Sequence, residues 1–516
     1  MRTEKSVKNM LYGIFLQIVT VFVGMFNRTV LIKYIGIEAL SLNSLFTEVL
    51  SMMSLAELGV GAAITFSLYD PLANRDEKKI SQLMNLFAKA YRIIAGFILV
   101  IGIILLPFIQ YLINDINYPI GYIRLIFFLF VIQTSASYLF SYMGILITAD
   151  QDRYIVTSVA IGIKIATAIG QIVILIVTKN YIAYLLCSLF FTVLNNVIVS
   201  IIAHKKYPFL NKSDKLEPEE NKKIFSNIKN VFVAKISGTI TNSTDNTLIS
   251  VLVGTVYVGL YSNYAIFINV IKGLITQFTN SVTASFGNLL VHESGEYCDV
   301  VLKRITYIVF VMGATCATGM YCALSTVIEI WLGPDFLIDD FTVFICVCCL
   351  YINIIRTPLW TILDASGLFK ENSFTGVVGS AVNLVVSIVL GKILGMAGIF
   401  LGTISTYVLQ GAMKIHYLYD KKLEVDKRGF SLKIVCYISL SLIQCVIAKS
   451  LCGLLTFNGL WINLFSYCAI AVVVSIVFDI LLFIRSDEFC YTKELGIRLL
   501  RKFSMAKESK NGKSSI

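Results

Sequence analysis

Apolar positions along this chain do not alternate in twos, and they do not form a one-sided helical stripe against a polar face. They come in unbroken runs of twenty or more residues, separated by short polar segments. A helix needs about 20 mostly apolar residues to cross a bilayer. On that rule the first half predicts spans at Met10–Ile35, Leu42–Leu68, Phe87–Leu112, Tyr122–Thr148, Ile155–Thr178, Tyr181–Ala203 and Asn230–Val253. The second half predicts Val258–Leu290, Ile305–Leu332, Phe341–Ser366, Phe374–Ile393, Gly398–Tyr417, Leu432–Thr456 and Trp461–Ile484. The expectation is an all-α integral membrane protein of about 14 transmembrane helices. The first run is too long for a signal-peptide core and lacks a small-x-small cleavage site, so it reads as a retained span.

Composition agrees. Of the 516 residues 57% are hydrophobic and only 15% charged, against about 25% charged in a soluble domain. The net charge of +11 does not point to nucleic acid, because Lys and Arg gather in the segments between apolar runs. With both tails and alternate loops on one side, most of the 43 Lys and Arg fall there. Only Arg28, Lys33, Arg124, Lys179, Lys392 and Lys449 lie near the other side. The positive-inside rule makes the basic side, with both termini, cytoplasmic. The opposite loops are short, the longest being Ile113–Gly121, which leaves no room for an external domain.

The longest basic-side loop, 204–229, divides the chain into a six-helix lobe (1–203) and a second (230–431). Two further helices (432–484) and a tail (485–516) follow. A faint repeat supports the division. Gly36, Leu42 and Ser44 recur as Gly254, Leu260 and Ser262, and Thr148-Ala149 is echoed by Asp364-Ala365. Lobes with an even number of spans would be parallel repeats, which typically enclose a central substrate cavity. In the tail, Tyr491–Phe503 sets Leu495, Leu499, Leu500 and Phe503 beside Lys493, Arg498, Arg501 and Lys502, the pattern of an interfacial helix attracted by anionic lipid. The residues after it, Ser504–Ile516, are expected to lack regular structure.

Ionisable groups inside spans cost about 2.5–3.5 kcal/mol each to insert and are functional candidates by default. The deep cations are Arg28, Lys164, Lys272 and Arg356; the acids are Glu48, Glu57, Asp245 and Glu329. Cations distributed over both halves suit an anion such as a diphosphate, to which guanidinium binds through two bonds and Lys as a point charge. The bland alternative is that each cation pairs with a carboxylate and merely locks the bundle. Glu48 and Glu57 are nine positions apart and so face opposite ways on a helix, which prevents both from lining one cavity. The polar run Thr239–Asn246, including Asp245 and Asn246, either lines a wet cavity or mediates helix packing. The chain has no HExxH, P-loop or GxSxG motif, and the CxxC of Cys346 and Cys349 sits in an apolar run without a second pair. The expectation is a transporter without cofactor or metal rather than an enzyme.

Three stretches carry a resemblance. Asn27-Arg28-Thr29 through Gly36, with Leu55-Ala56-Glu57-Leu58-Gly59 and Tyr69-Asp70-Pro71-Leu72, resembles the opening of the Wzx-like oligosaccharide flippases of the multidrug/oligosaccharidyl-lipid/polysaccharide exporter superfamily. Thr244-Asp245-Asn246 with Gly259-Leu260-Tyr261-Ser262-Asn263-Tyr264 looks like the start of that family's second half. Arg356-Thr357-Pro358-Leu359-Trp360 with Asp364-Ala365 resembles its tenth-span motif, although Thr357 stands where a bulkier or basic residue is expected. The resemblance implies two lobes around a cationic cavity. It also implies an undecaprenyl-diphosphate-linked oligosaccharide repeat unit moved from the inner to the outer leaflet of a bacterial cell membrane for surface polysaccharide biosynthesis. Arg28 and Arg356 become the substrate contacts. Implied partners are that polyprenyl-diphosphate-linked oligosaccharide, membrane lipids, and the polysaccharide polymerase and chain-length machinery. A peptidoglycan-precursor flippase and a cation-coupled multidrug exporter of the same superfamily remain alternatives.

Overall fold

Proline, glycine and interhelical side-chain bonds decide where the long apolar runs break. The computed structural model describes residues 2–53, 57–211, 244–366 and 368–498. Every regular element among them is helical, and eleven helices are long and apolar enough to cross a membrane. The chain is an all-helical, multi-pass membrane protein. It divides into two compact units, Met1–Ser262 (with Gly391–Gly395) and Asn263–Leu390 with Met396–Ile516. Most of the predicted boundary loop and of the seventh span lies outside the described residues, as do the tail after 498 and the expected end of its interfacial helix.

The first unit comprises α1 (Arg2–Tyr34), α2 (Ile37–Met53), α3 (Glu57–Asn74), α4 (Glu77–Leu105), α5 (Ile120–Tyr138), α6 (Tyr142–Ala149), α7 (Arg153–Thr178), α8 (Tyr181–Lys206) and α9 (Asp245–Leu252). It ends within α10 (Thr255–His292). The predicted second span covers parts of α2 and α3, with 54–56 outside the described residues. The predicted fourth is α5 and α6, parted at Leu139–Ser141. Its core sets Phe87, Leu146, Leu68, Ile98 and Ala203, none more than marginally exposed, among α3, α4, α6 and α8. The two glycines of the sequence repeat share a backbone role. Gly36 (φ +114°) turns the chain from α1 into α2, and Gly254 (φ +145°) turns it from α9 into α10. These are left-handed values that a side chain disfavours, which gives the sequence repeat a physical basis.

The second unit continues with α11 (Gly295–Leu332), α12 (Asp340–Ile355), α13 (Thr357–Ala365), α14 (Phe369–Leu418), α15 (Arg428–Leu454) and α16 (Leu460–Phe483), then a short helix over 487–498. The 50 residues of α14 are two helices joined at Gly395, where the backbone leaves helical geometry (φ 59°, ψ −136°). Its two arms fold back on each other. Asn383 Nδ2 donates to Thr403 Oγ1 (3.1 Å), Ser387 Oγ to the Ile399 carbonyl (3.1 Å) and Thr406 Oγ1 to the Gly379 carbonyl (3.4 Å). The partner numbers rise on one arm as they fall on the other, which defines an antiparallel hairpin. The predicted eleventh and twelfth spans are therefore two crossings. Close approach requires Gly402, where an added Cβ would lie 2.6 Å from the Ser387 backbone nitrogen, the small-residue contact typical of membrane helices.

At one end of this unit Asp340 ties α11, α12 and α15 together: it accepts from Tyr321 Oη (2.9 Å) and from Lys449 Nζ (2.7 Å). At the other end Lys433 of α15 is ion-paired with Glu488 of the last helix.

Candidate functional site

The tenth predicted span is interrupted where its chemistry lies. Pro358 cannot donate to the carbonyl of residue 354 as a helix requires, and its ring crowds that turn. Thr357 Oγ1 donates to the Ile354 carbonyl instead (2.7 Å). Thr357, out of place by family resemblance, thus satisfies the group that the proline frees. Arg356 occupies the break itself, between α12 and α13.

Its guanidinium carbon lies 3.5 Å from the ring centroid of Tyr407 and 4.5 Å from that of Trp360. Nη1 donates to Gln410 Oε1 at 3.4 Å, a long contact. The same indole holds a second cation: Lys414 Nζ lies 3.8 Å from the Trp360 ring centroid and donates to Asn372 Oδ1 at 2.5 Å. Arg356 makes no ion pair among the described residues. Faces of aromatic rings attract cations while leaving guanidinium N–H groups at the edge able to donate. Arg356, held on ring faces, is therefore a fixed cation whose edge can donate to phosphate oxygens.

Sequence reading had placed Lys414 with the basic loop residues. The structure buries it, at 3% exposure. Tyr407, Gln410 and Asn372 carry no mark in the sequence, and Trp360 enters only as part of the tenth-span motif. A signal existed: Tyr407, Gln410 and Lys414 stand at i, i+3 and i+7, one face of a helix, and Arg356 and Trp360 at i, i+4.

In the first unit Arg28 Nη1 donates to Ser262 Oγ (2.8 Å), which joins the first familiar stretch of sequence to the second. Its neighbour Asn27 donates through Nδ2 to Gln171 Oε1 (2.5 Å) and Tyr184 Oη (3.2 Å). The Tyr184 and Tyr181 rings are stacked 5.8 Å apart, and Tyr181 Oη donates to the Ala39 carbonyl (3.1 Å). Arg28 thus sits where α1, α7, α8 and the start of α10 converge.

Glu48 accepts from Asn246 Nδ2 at 2.8 Å, so these two candidates are joined. Asp245 opens α9, where the helix dipole favours a carboxylate. The side chain of Glu57 lies outside the described residues. Lys164 and Lys272 are half-buried in α7 and α10, and no hydrogen bond or ion pair among the described residues joins either to the other candidates. The twelve cysteines are free thiols, and no group of metal-ligating side chains occurs among the described residues.

The described residues thus form an all-helical bundle with eleven helices able to cross a membrane, and cations packed against aromatic rings. Solved structures share this fold. A lipid II flippase MurJ in an inward closed conformation superposes with a TM-score of 0.67 at 14% identity, covering 92% of this chain and 99% of that one. An inward-facing multidrug resistance MATE family transporter of the MOP superfamily gives a TM-score of 0.58 at 15% identity, over 78% of this chain and 96% of that one. A mutant of the Vibrio cholerae MATE transporter VcmN gives 0.56 at 11% identity, over 82% and 99%. No family model matches the sequence, and no curated protein matches it. This chain shares its fold with the flippase and the two transporters of those structures.

Proposed function

We propose that this protein is a flippase for a polyprenyl-diphosphate-linked oligosaccharide. It would carry the repeat unit from the inner to the outer leaflet of a bacterial cell membrane for surface polysaccharide assembly. The observation that carries this reading is the Arg356 guanidinium, held over the rings of Trp360 and Tyr407 without an ion pair among the described residues. A cationic drug would be repelled there, whereas a diphosphate would be bound by charge-assisted hydrogen bonds. The fold shared with a lipid II flippase supports the class of cargo, and that likeness spans more of this chain than the likeness to the two MATE transporters.

In this reading Arg28 and Arg356 contact the diphosphate, and Lys164 and Lys272 add positive charge along the path. Two six-helix lobes separated by the 204–229 loop alternate access while the lipid tail stays in the bilayer. Both termini are cytoplasmic, the protein is not an enzyme, and polymerase and chain-length machinery act on its product. Deletion of the gene tests this directly. The expected result is loss of surface polysaccharide with lipid-linked oligosaccharide accumulating on the cytoplasmic face. Unchanged polysaccharide together with new sensitivity to cationic drugs would favour the exporter alternative.

A further inference from the structure

Where α11, α15 and α16 pack together, a span carries an acid that the Arg356 cluster does not use. Asp479 lies in α16. Among the described residues its one hydrogen-bond donor is Tyr307 Oη of α11, at 2.5 Å from Oδ1, and no Lys, Arg or His pairs with it. The other titratable group facing it is Tyr437 of α15, whose ring stacks on Phe310 with centroids 4.4 Å apart. Cations one turn before these tyrosines are engaged elsewhere. Lys303 pairs with Asp299 (2.5 Å), and Arg304 lies 4.4 Å from the ring centroid of Tyr491. Glu488, whose charge also reaches Tyr307 and Tyr437, is matched by Lys433.

A cavity lies beside the Asp479 carboxyl, lined also by Thr315 of α11, Gln444 of α15 and Ser475 of α16 among apolar side chains such as Phe310 and Phe478. Its polar lining offers mainly lone pairs. Thr315 Oγ1 donates to the Val311 carbonyl (2.8 Å) and Ser475 Oγ to the Ala471 carbonyl (2.7 Å), so both hydroxyl hydrogens point back into their own helices. Gln444 Nε2 donates to Ser475 Oγ. What remains is the second carboxylate oxygen of Asp479, Gln444 Oε1 and the hydroxyl lone pairs, against one N–H of Gln444. A negative charge within a span is costly unless it is paired or coordinates a cation. Tyr307 supplies a hydrogen bond but no positive charge.

We propose that Asp479, with the oxygens around this cavity, binds a small monovalent cation, a sodium ion or a proton. One carboxylate balances one positive charge, so the fitting occupant is monovalent. It supplies the charge that Tyr307 cannot, at the contact of α16 with α11 and α15. This cation site shares no residue with the Arg356 cluster and does not depend on the identity of the cargo.

Infrared difference spectroscopy of the full-length protein in detergent tests the proposal. One arm exchanges sodium against choline at fixed pH; the other steps the pH between about 6 and 8 in choline. In wild type, either sodium shifts a carboxylate stretching band or the pH step exchanges one for a protonated carboxyl band. That signal should be lost in Asp479→Asn. A shift with sodium assigns the metal ion and a change with pH alone assigns the proton; both support the site. Glu488, held below the ordinary carboxylate range by Lys433, stays ionised throughout this window. Wild-type spectra that answer to neither exchange, or signals that persist in Asp479→Asn, would overturn the proposal. Should Asp479→Asn not fold, Tyr307→Phe replaces it. Without the hydroxyl's bond to the bare carboxylate, cation binding should tighten about tenfold, and an unchanged midpoint refutes the site.

Discussion

Replacing Arg356 by alanine separates a cargo-binding role from a structural one, because the structural terms nearly cancel. In its favour Arg356 has two ring contacts, at 3.5 and 4.5 Å, each worth about 0.5–2 kcal/mol, and one long hydrogen bond of little value. Against it stands an insertion cost of about 2.5–3.5 kcal/mol for a charge within a span. The sum is near zero, so Arg356→Ala should shift thermal unfolding in detergent by no more than a few degrees. The effect on a bound diphosphate is different in kind. A charge-assisted bond contributes about 1.5–3 kcal/mol, and loss of a two-pronged contact should slow translocation by about a hundredfold. Arg356→Lys should recover part of that loss, because charge remains while the fork does not. The paired measurements are unfolding temperature of the purified protein and surface polysaccharide in cells carrying the variant. Wild-type export by Arg356→Ala, or a large fall in unfolding temperature that accounts for lost export through lost protein, would refute the reasoning.

Two further outcomes follow from the packing. Gly402→Ala should destabilise the protein by about 1–3 kcal/mol, seen as a lower unfolding temperature, because its methyl would meet the Ser387 backbone 2.6–2.7 Å away; unchanged stability would contradict the α14 hairpin. Burial alone would raise the Glu488 carboxyl, but hydrogen bonds from Lys433 and its own backbone, with the Lys433 and Lys303 charges, outweigh that and hold it below its ordinary value. A depressed carboxylate stabilises above the unfolded pKa of about 4.3 and loses that contribution as pH falls through the folded value. The helix over 487–498 should therefore stay protected from hydrogen exchange from neutral pH to about 5 and be released in stronger acid; release between pH 5 and 7 would contradict the sign.

Much of the architecture was legible in the chain because lipid imposes a length rule. A bilayer leaves no water to satisfy the backbone, so apolar runs of span length must be helices. Their limits agree closely with α7, α8, α15 and α16, while α1 begins eight residues before its predicted span. Where runs broke internally, the reasons were local but hard to rank in advance. Pro358 does interrupt the tenth span, whereas Pro71 lies inside α3. The difference lies in what surrounds each one, because a freed carbonyl needs a substitute such as Thr357. Gly36 and Gly254 were visible as a repeat, yet only the backbone showed both at positive φ.

What the sequence by itself determined was the solvent, the all-helical class, most of the crossings and the set of expensive charges, Arg28, Arg356, Lys164 and Lys272. These follow from composition and run length, which act residue by residue. Which charges gather, and on what, was decided by the tertiary structure. Lys414 looked like an ordinary loop-end lysine until the α14 hairpin placed it over Trp360. Glu48 gained Asn246 from nearly two hundred residues away. Such pairings depend on distances between helices far apart in the chain, and hydropathy, a local quantity, carries no information about them.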